Sequence, residues 1–158
     1  STRTSTLFPY TTLFRSDKVE HLVQDFVRAG RQVLHIAVHS FTPELNGEVR
    51  QADIGLLYDP QRKGEQQFCR DWRLAINRVN PELVVRNNYP YLGISDGFPT
   101  YLRKKYKADE YLGIELEVNQ KFPEGEQQLW EEVIQTIKAS LAQTLKVWRP
   151  NSKEESVA

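Results

Sequence analysis

Apolar residues recur along the chain at spacings that separate helices from strands. Val19, Leu22, Val23, Phe26 and Val27 fall on one face of a helix that opens at Asp17-Lys18-Val19-Glu20, and Gly30 is placed to end it. Gln32 to Val38 alternates as a strand. Leu34, Ile36 and Val38 take one side, and Val33, His35, Ala37 and His39 the other. Asp53 to Tyr58 reads as a second short strand, and Gly64 to Val79 as a helix carrying Phe68, Trp72, Ile76 and Val79 at helical spacing. Glu82 to Arg86 is a third strand, entered through Asn80-Pro81. Gly93 to Gly97 forms a loop, and Thr100 to Lys107 a short basic helix. Tyr111 to Asn119 is the fourth strand, with Ile114, Leu116 and Val118 facing one way. A final helix runs from Glu124 to Trp148, striped by Trp130, Val133, Ile134, Ile137, Leu141 and Leu145, and Arg149-Pro150 stops it.

Strands alternating with helices predict one α/β layered domain with a largely parallel sheet. In open sheets of this kind, ligands gather outside the carboxyl ends of the strands. Three segments leave strand ends: His39 to Pro43, Asn87 to Tyr91, and Glu115 to Gln120.

Composition narrows the function classes. The 158 residues carry 21 Lys+Arg against 21 Asp+Glu, which argues against an electrostatic nucleic-acid binder. A single cysteine, Cys69, excludes a disulfide framework within the chain and a Cys-only zinc site. On an amphipathic helix it reads as packing. Apolar runs such as Ile54 to Tyr58 are far too short to span a membrane. With no secretory signal and no disulfide framework, a cytoplasmic location is expected.

Residues 1–16 differ in character, with five Thr, three Ser, two Arg and no acid. Pro9 and two threonines split their apolar pairs, so they do not make a secretory signal. Over eleven consecutive residues, Thr6 to Ser16 resembles the in-frame translation of a common sequencing adapter. The chain contains no Met. The expected organisation is therefore an adapter-like, non-native segment 1–16, a C-terminal part of a larger domain over 17–149, and a flexible tail 150–158.

Candidate chemistry lies at the strand ends. His39 ends its strand before Ser-Phe-Thr-Pro, where a neutral imidazole could ligate zinc or act as acid and base. A hydrogen-bonded strand-end histidine is the competing reading. His35, four residues back on the same face, lies on the order of 13 Å away and reads as a satisfied, buried polar residue. His21 reads as a helix-surface residue. No H-x-x-E, H-E-x-x-H or C-x-x-C spacing offers a local zinc motif, and no Walker-type phosphate loop occurs. In Ile114-Glu115-Leu116-Glu117-Val118-Asn119, alternation puts Glu115, Glu117 and Asn119 on one face. If the strand is central, those carboxylates need partners, and one could serve as a general base. If it is an edge strand, they form a solvated acidic face. Arg50, Arg62, Arg86 and Arg103 are candidate anion clamps, with surface ion pairing as the alternative for each.

Taken together, HSFTPELNGEVRQADIGLLYDPQR, VVRNNYPYLGISDG and YLGIELEVNQ resemble the C-terminal half of the N-formylglutamate amidohydrolase family. That family in turn resembles the zinc carboxypeptidase and aspartoacylase group of layered α/β hydrolases. The resemblance implies that His39, in V-H-S-F, is a zinc ligand following an upstream ligand pair. It implies that Glu117, in E-V-N-Q, is the catalytic glutamate, with Glu115 as the nearby alternative. Asn88, Pro90 and Gly93 match an N-x-P-[YF]-x-G loop with Tyr91 at its aromatic position, and Arg50 matches a substrate-carboxylate contact.

The implied reaction is zinc-dependent hydrolysis of a small-molecule substrate, N-formyl-L-glutamate or a related N-acyl amino acid, to formate and L-glutamate. The implied setting is histidine and amino-acid degradation, without nucleic-acid or membrane partners. Because the family draws its first two metal ligands from upstream, this chain alone is expected to be inactive. The alternatives are a metal hydrolase of another amide, such as a peptide or cell-wall fragment, and a non-catalytic binding domain on the same scaffold.

Overall fold

Tyr111–Asn119 alternates large apolar side chains with Gly113, Glu115 and Glu117, and this strand sits inside the sheet with neighbours on both sides. The structure is a computed structural model that describes residues 10–149. Its elements in chain order are α1 (Tyr10–Arg28), β1 (Val33–Phe41), β2 (Glu44–Leu45), β3 (Glu48–Val49), β4 (Ile54–Leu57), α2 (Lys63–Val79), β5 (Val85–Asn87), α3 (Phe98–Lys105), β6 (Tyr111–Asn119) and α4 (Gln127–Val147). The main sheet has the order β1-β6-β4-β5. β1 runs parallel to β6 and β4 parallel to β5, while β4 and β6 are antiparallel. The expected α/β class with a mostly parallel sheet is therefore present. Among the described residues, no helix is long and apolar enough to cross a membrane.

One sheet face carries the main core. Ile54, Leu56, Ile114, Leu116 and Val118 pack against Phe68, Trp72 and Ile76 of α2 and Val133 of α4, with Leu34 and Ile36 joining from β1. Burial of each such side chain contributes about 1.5–3 kcal/mol. The Trp72 indole N–H donates to Ser140 Oγ at 3.1 Å, so the two covering helices are tied where both are buried. On the opposite face, a smaller cluster of Val23, Leu102 and Tyr111, with Val19, Val27, Val33 and Phe98, seats α1 and α3 over the amino-terminal ends of β1 and β6.

Three departures from the sequence expectation have local causes. The β2–β3 hairpin turns through Asn46 (φ 54°) and Gly47 (φ 81°), the left-handed pair that an Asn-Gly dipeptide supplies. The third strand begins at Val85, not Glu82, because Asn80 caps a turn: its Oδ1 accepts from Glu82 N and its carbonyl from Leu83 N. Helix α1 begins at Tyr10, so helical backbone runs through 10–16, whereas the expected helix opened at Asp17. Residues 1–9 of the adapter-like segment and the expected tail 150–158 lie outside the described residues.

Glu65 and Arg103 join the layers. Glu65 is fully buried and accepts from Asp59 N (2.8 Å), Gly113 N (2.9 Å) and Arg103 Nε (3.1 Å). Arg103 reaches in from α3 and also donates to the carbonyls of Gly93 and Gly113, both at 2.6 Å. Thus the basic helix buries one of its cations, which is no surface clamp. Breaking a buried pair strands the remaining charge. Arg103→Leu is expected to cost about 3–5 kcal/mol, read as a lower urea midpoint, and adding Glu65→Gln should recover part of the loss.

Candidate functional site

In an in-register parallel pair, facing residues project to the same side of the sheet. The β1–β6 register matches His35 with Gly113, Ala37 with Glu115, His39 with Glu117 and Phe41 with Asn119. On the other side of β6, Gly55 stands opposite Glu117 and Leu57 opposite Glu115. The two glutamates therefore lie on a central strand, on the face not covered by α2 and α4. His39 stands beside Glu117 on the exposed end of edge strand β1.

Gly55 decides how this face is roofed. A Cβ there would lie 2.1 Å from the carbonyl oxygen of Tyr89, so only glycine lets the 88–97 segment lie across β4 beside Glu117. This segment reaches the site by an unexpected route. Antiparallel β4 turns β5 with it, so the carboxyl end of β5 points away from the carboxyl ends of β1 and β6. The three strand-end segments do not share one sheet edge, and residues 88–97 fold back over the face instead.

That roof keeps Glu117 only 5% exposed, and its Oε2 is buried without a hydrogen-bond partner among the described residues. Burial pushes the Glu117 carboxyl above its ordinary value, against the pull of nearby His39. Glu115 adds to the rise and Arg50 opposes it. Burial likewise raises Glu115, opposed by His39 and Arg103. The result is a pair of carboxylates in a site where holding two charges is unfavourable, a setting suited to taking up a proton.

The remaining candidates separate into those near Glu117 and those that build the walls. Arg50 lies within electrostatic reach of Glu117, and its guanidinium is 5.7 Å from the centre of the Phe41 ring and 5.1 Å from that of Tyr91. Asn88 and Gly93 build the loop. Asn88 Oδ1 accepts from Tyr58 N and Gly93 N, each at 3.0 Å, and a Cβ on Gly93 would lie 2.2 Å from Tyr58 N. The Tyr89–Pro90 peptide within it is cis. Arg62 donates to the carbonyls of Tyr111, Arg103 and Tyr106, and Arg86 lies over Tyr89. Asn119 joins Ala52 to Lys121.

His35, half-buried, bonds the Tyr111 hydroxyl at 2.7 Å, and burial lowers its pKa. His21 is exposed, and the thiol of buried Cys69 is pushed well up by burial. Among the described residues, no group of three His, Cys, Asp or Glu could hold a metal ion. The zinc expectation thus meets one imidazole, His39, beside an unpartnered carboxylate oxygen, which is an incomplete ligand set.

The chain is similar to gene product Atu2144 from Agrobacterium tumefaciens. The crystal structure of that protein superposes with a TM-score of 0.60 at 27% identity, over 82% of this chain. The chain spans about half of its length, 48%. No protein-family profile and no curated protein matches the chain significantly.

Two features show the limits of reading by motif, one with no motif and one with a motif in the wrong context. Glu65, the buried anchor of Arg103, sits on an amphipathic helix with nothing local to distinguish it. Gly93-Ile94-Ser95-Asp96-Gly97 has the G-x-S-x-G spacing of a nucleophile elbow. That motif requires a sharp strand-to-helix turn. Here the segment is the loop over Tyr58 and Glu115, with Ser95 N bonded to Leu92 O.

The buried, unpartnered oxygen has a measurable consequence. Because Glu117 binds its proton more tightly when folded, its charge weakens the fold as pH rises through the raised pKa. The penalty is absent below the ordinary glutamate pKa of about 4.3. Glu117→Gln should therefore stabilise the chain relative to wild type at pH 7–8. Denaturation curves should show that gain vanishing by about pH 4.

Proposed function

We propose that this chain carries the proton-transfer and carboxylate-recognition part of an amidohydrolase acting on N-formyl-L-glutamate or a related N-acyl amino acid. The reading rests above all on one observation. Glu117 is buried on a central strand with an unpartnered oxygen, beside His39 and within the electrostatic reach of Arg50. A site that keeps an uncompensated carboxylate gives up stability for reactivity.

In this reading Glu117 takes a proton from the water that attacks the formyl carbon. The C–N bond breaks, the proton passes to the leaving amine, and formate and L-glutamate result. A carboxyl raised toward the working pH is better matched to both transfers. Glu115 is the alternative acceptor. Arg50 holds a carboxylate of the substrate through its planar fork, and Tyr91 forms an aromatic wall beside it. Asn88 and Gly93 contribute through the loop they shape. His39 is the zinc ligand this chain offers. The described residues do not complete a zinc site, and the chemistry proposed for them is proton transfer and anion binding.

The test is release of formate from N-formyl-L-glutamate, together with zinc content, for this chain alone and for a longer protein that contains it. The chain alone is expected to be inactive and the longer protein active. In the longer protein, His39→Ala should lose metal. Glu117→Gln should keep metal and lose at least about a hundredfold in turnover. Normal turnover in Glu117→Gln would transfer the role to Glu115. A longer protein that neither binds zinc nor releases formate would sink the proposal.

A further inference from the structure

Arg50 lies close enough to Glu117 to influence its charge, yet among the described residues the two form no ion pair. Its geometry shows what holds it elsewhere. The β2–β3 hairpin returns the chain so that Arg50 N donates to the Pro43 carbonyl at 2.8 Å. Its side-chain Nη1 is then committed to Thr42, donating to the carbonyl oxygen at 3.2 Å and to Oγ1 at 3.3 Å. Two rings flank the guanidinium: Phe41, which is buried, and Tyr91, which is 43% exposed.

Tyr91 arrives from a different part of the chain, on the loop that Gly55 admits. Its neighbour Tyr89 accepts a hydrogen bond from Gln51 N at 2.9 Å, pinning that loop to the residue after Arg50. Two independent loops thus converge on one guanidinium. Among the described residues, Nη2 and Nε have no protein acceptor.

We infer that Tyr91 is a positioning residue for Arg50. With Phe41 and Thr42, its ring holds the guanidinium off the Glu117 carboxylate and keeps the Nη2–Nε edge available to the carboxylate of a small acidic ligand. Without the stack, Arg50 is a long, mobile cation within reach of the buried Glu117 carboxylate, and an ion pair between them would occupy both the clamp and the base. The inference rests on the amidohydrolase reading for its substrate class, small acyl amino acids bearing free carboxylates. Its physical content, a ring that presets a cation, is separate.

The experiment uses this chain and glutarate, a dicarboxylate with no amide to cleave. The Arg50 Nε–Hε signal in an NMR correlation spectrum is assigned by its loss in Arg50→Lys. In the free protein that signal should carry a ring-current displacement that Tyr91→Phe keeps and Tyr91→Ala loses. Titrated glutarate should shift it saturably in wild type and Tyr91→Phe, and bind about three- to fivefold more weakly to Tyr91→Ala. Tyr91 is exposed enough that the variants should keep wild-type melting temperatures, which checks that the fold is intact.

An unchanged signal and affinity in Tyr91→Ala would overturn the inference, as would Tyr91→Phe behaving like Tyr91→Ala. No glutarate binding by wild type would overturn the carboxylate fork. Formate release, measured separately, decides the amidohydrolase reading in either case.

Discussion

The buried contact between Glu65 and Arg103 is the constraint on which the two layers and the loop between them depend. A carboxylate inside a protein must have its lone pairs satisfied, and Glu65 achieves this with two backbone N–H groups and a guanidinium. Each donor comes from a different element: the turn after β4, the middle of β6, and α3. Arg103 then extends the chain of contacts to the carbonyls of Gly93 and Gly113. One ion pair thereby fixes a helix, the central strand and the loop that roofs Glu117. The site is held from below by this pair and from the side by the hairpin that carries Arg50.

The two glutamates of β6 and the one of α2 show the same side chain in opposite circumstances. Glu65 is more deeply buried than Glu117, yet it is fully hydrogen-bonded and paired. Glu117 has an oxygen with no partner among the described residues, and burial raises its pKa. The difference comes from the surroundings. Donors converge on Glu65, whereas Glu117 faces a glycine, a loop carbonyl and a solvent-exposed histidine. An arrangement that buries a carboxylate oxygen without a hydrogen bond is costly, which is the physical reason to read this face as the functional one.

Much of the fold was legible from periodicity. β6 has the bounds that its alternation predicts, and α2 and α4 follow their apolar stripes to within a few residues. The Asn46-Gly47 turn was also written in the chain, but flanking strands of two residues each are too short to show a pattern. Periodicity could not distinguish a central β6 from an edge strand, because both expose the same alternation. Nor could it separate Arg50 from Arg62 and Arg103, which differ only in what lies around them. Arg62 and Arg103 satisfy backbone carbonyls at the layer junction, while Arg50 ends up between two rings.

By itself, the amino-acid order determined the local elements and the placing of Glu115 and Glu117 on one face, since strand alternation is a property of neighbouring residues. The requirement for glycine at position 55 is, by contrast, tertiary, because it arises only when Tyr89 is brought over it. The tertiary structure alone decided strand order, the antiparallel turn of β4, and hence which loops reach the carboxylates. Those outcomes depend on contacts between residues far apart in the chain. Long-range burial selects them, and no short stretch of sequence encodes them.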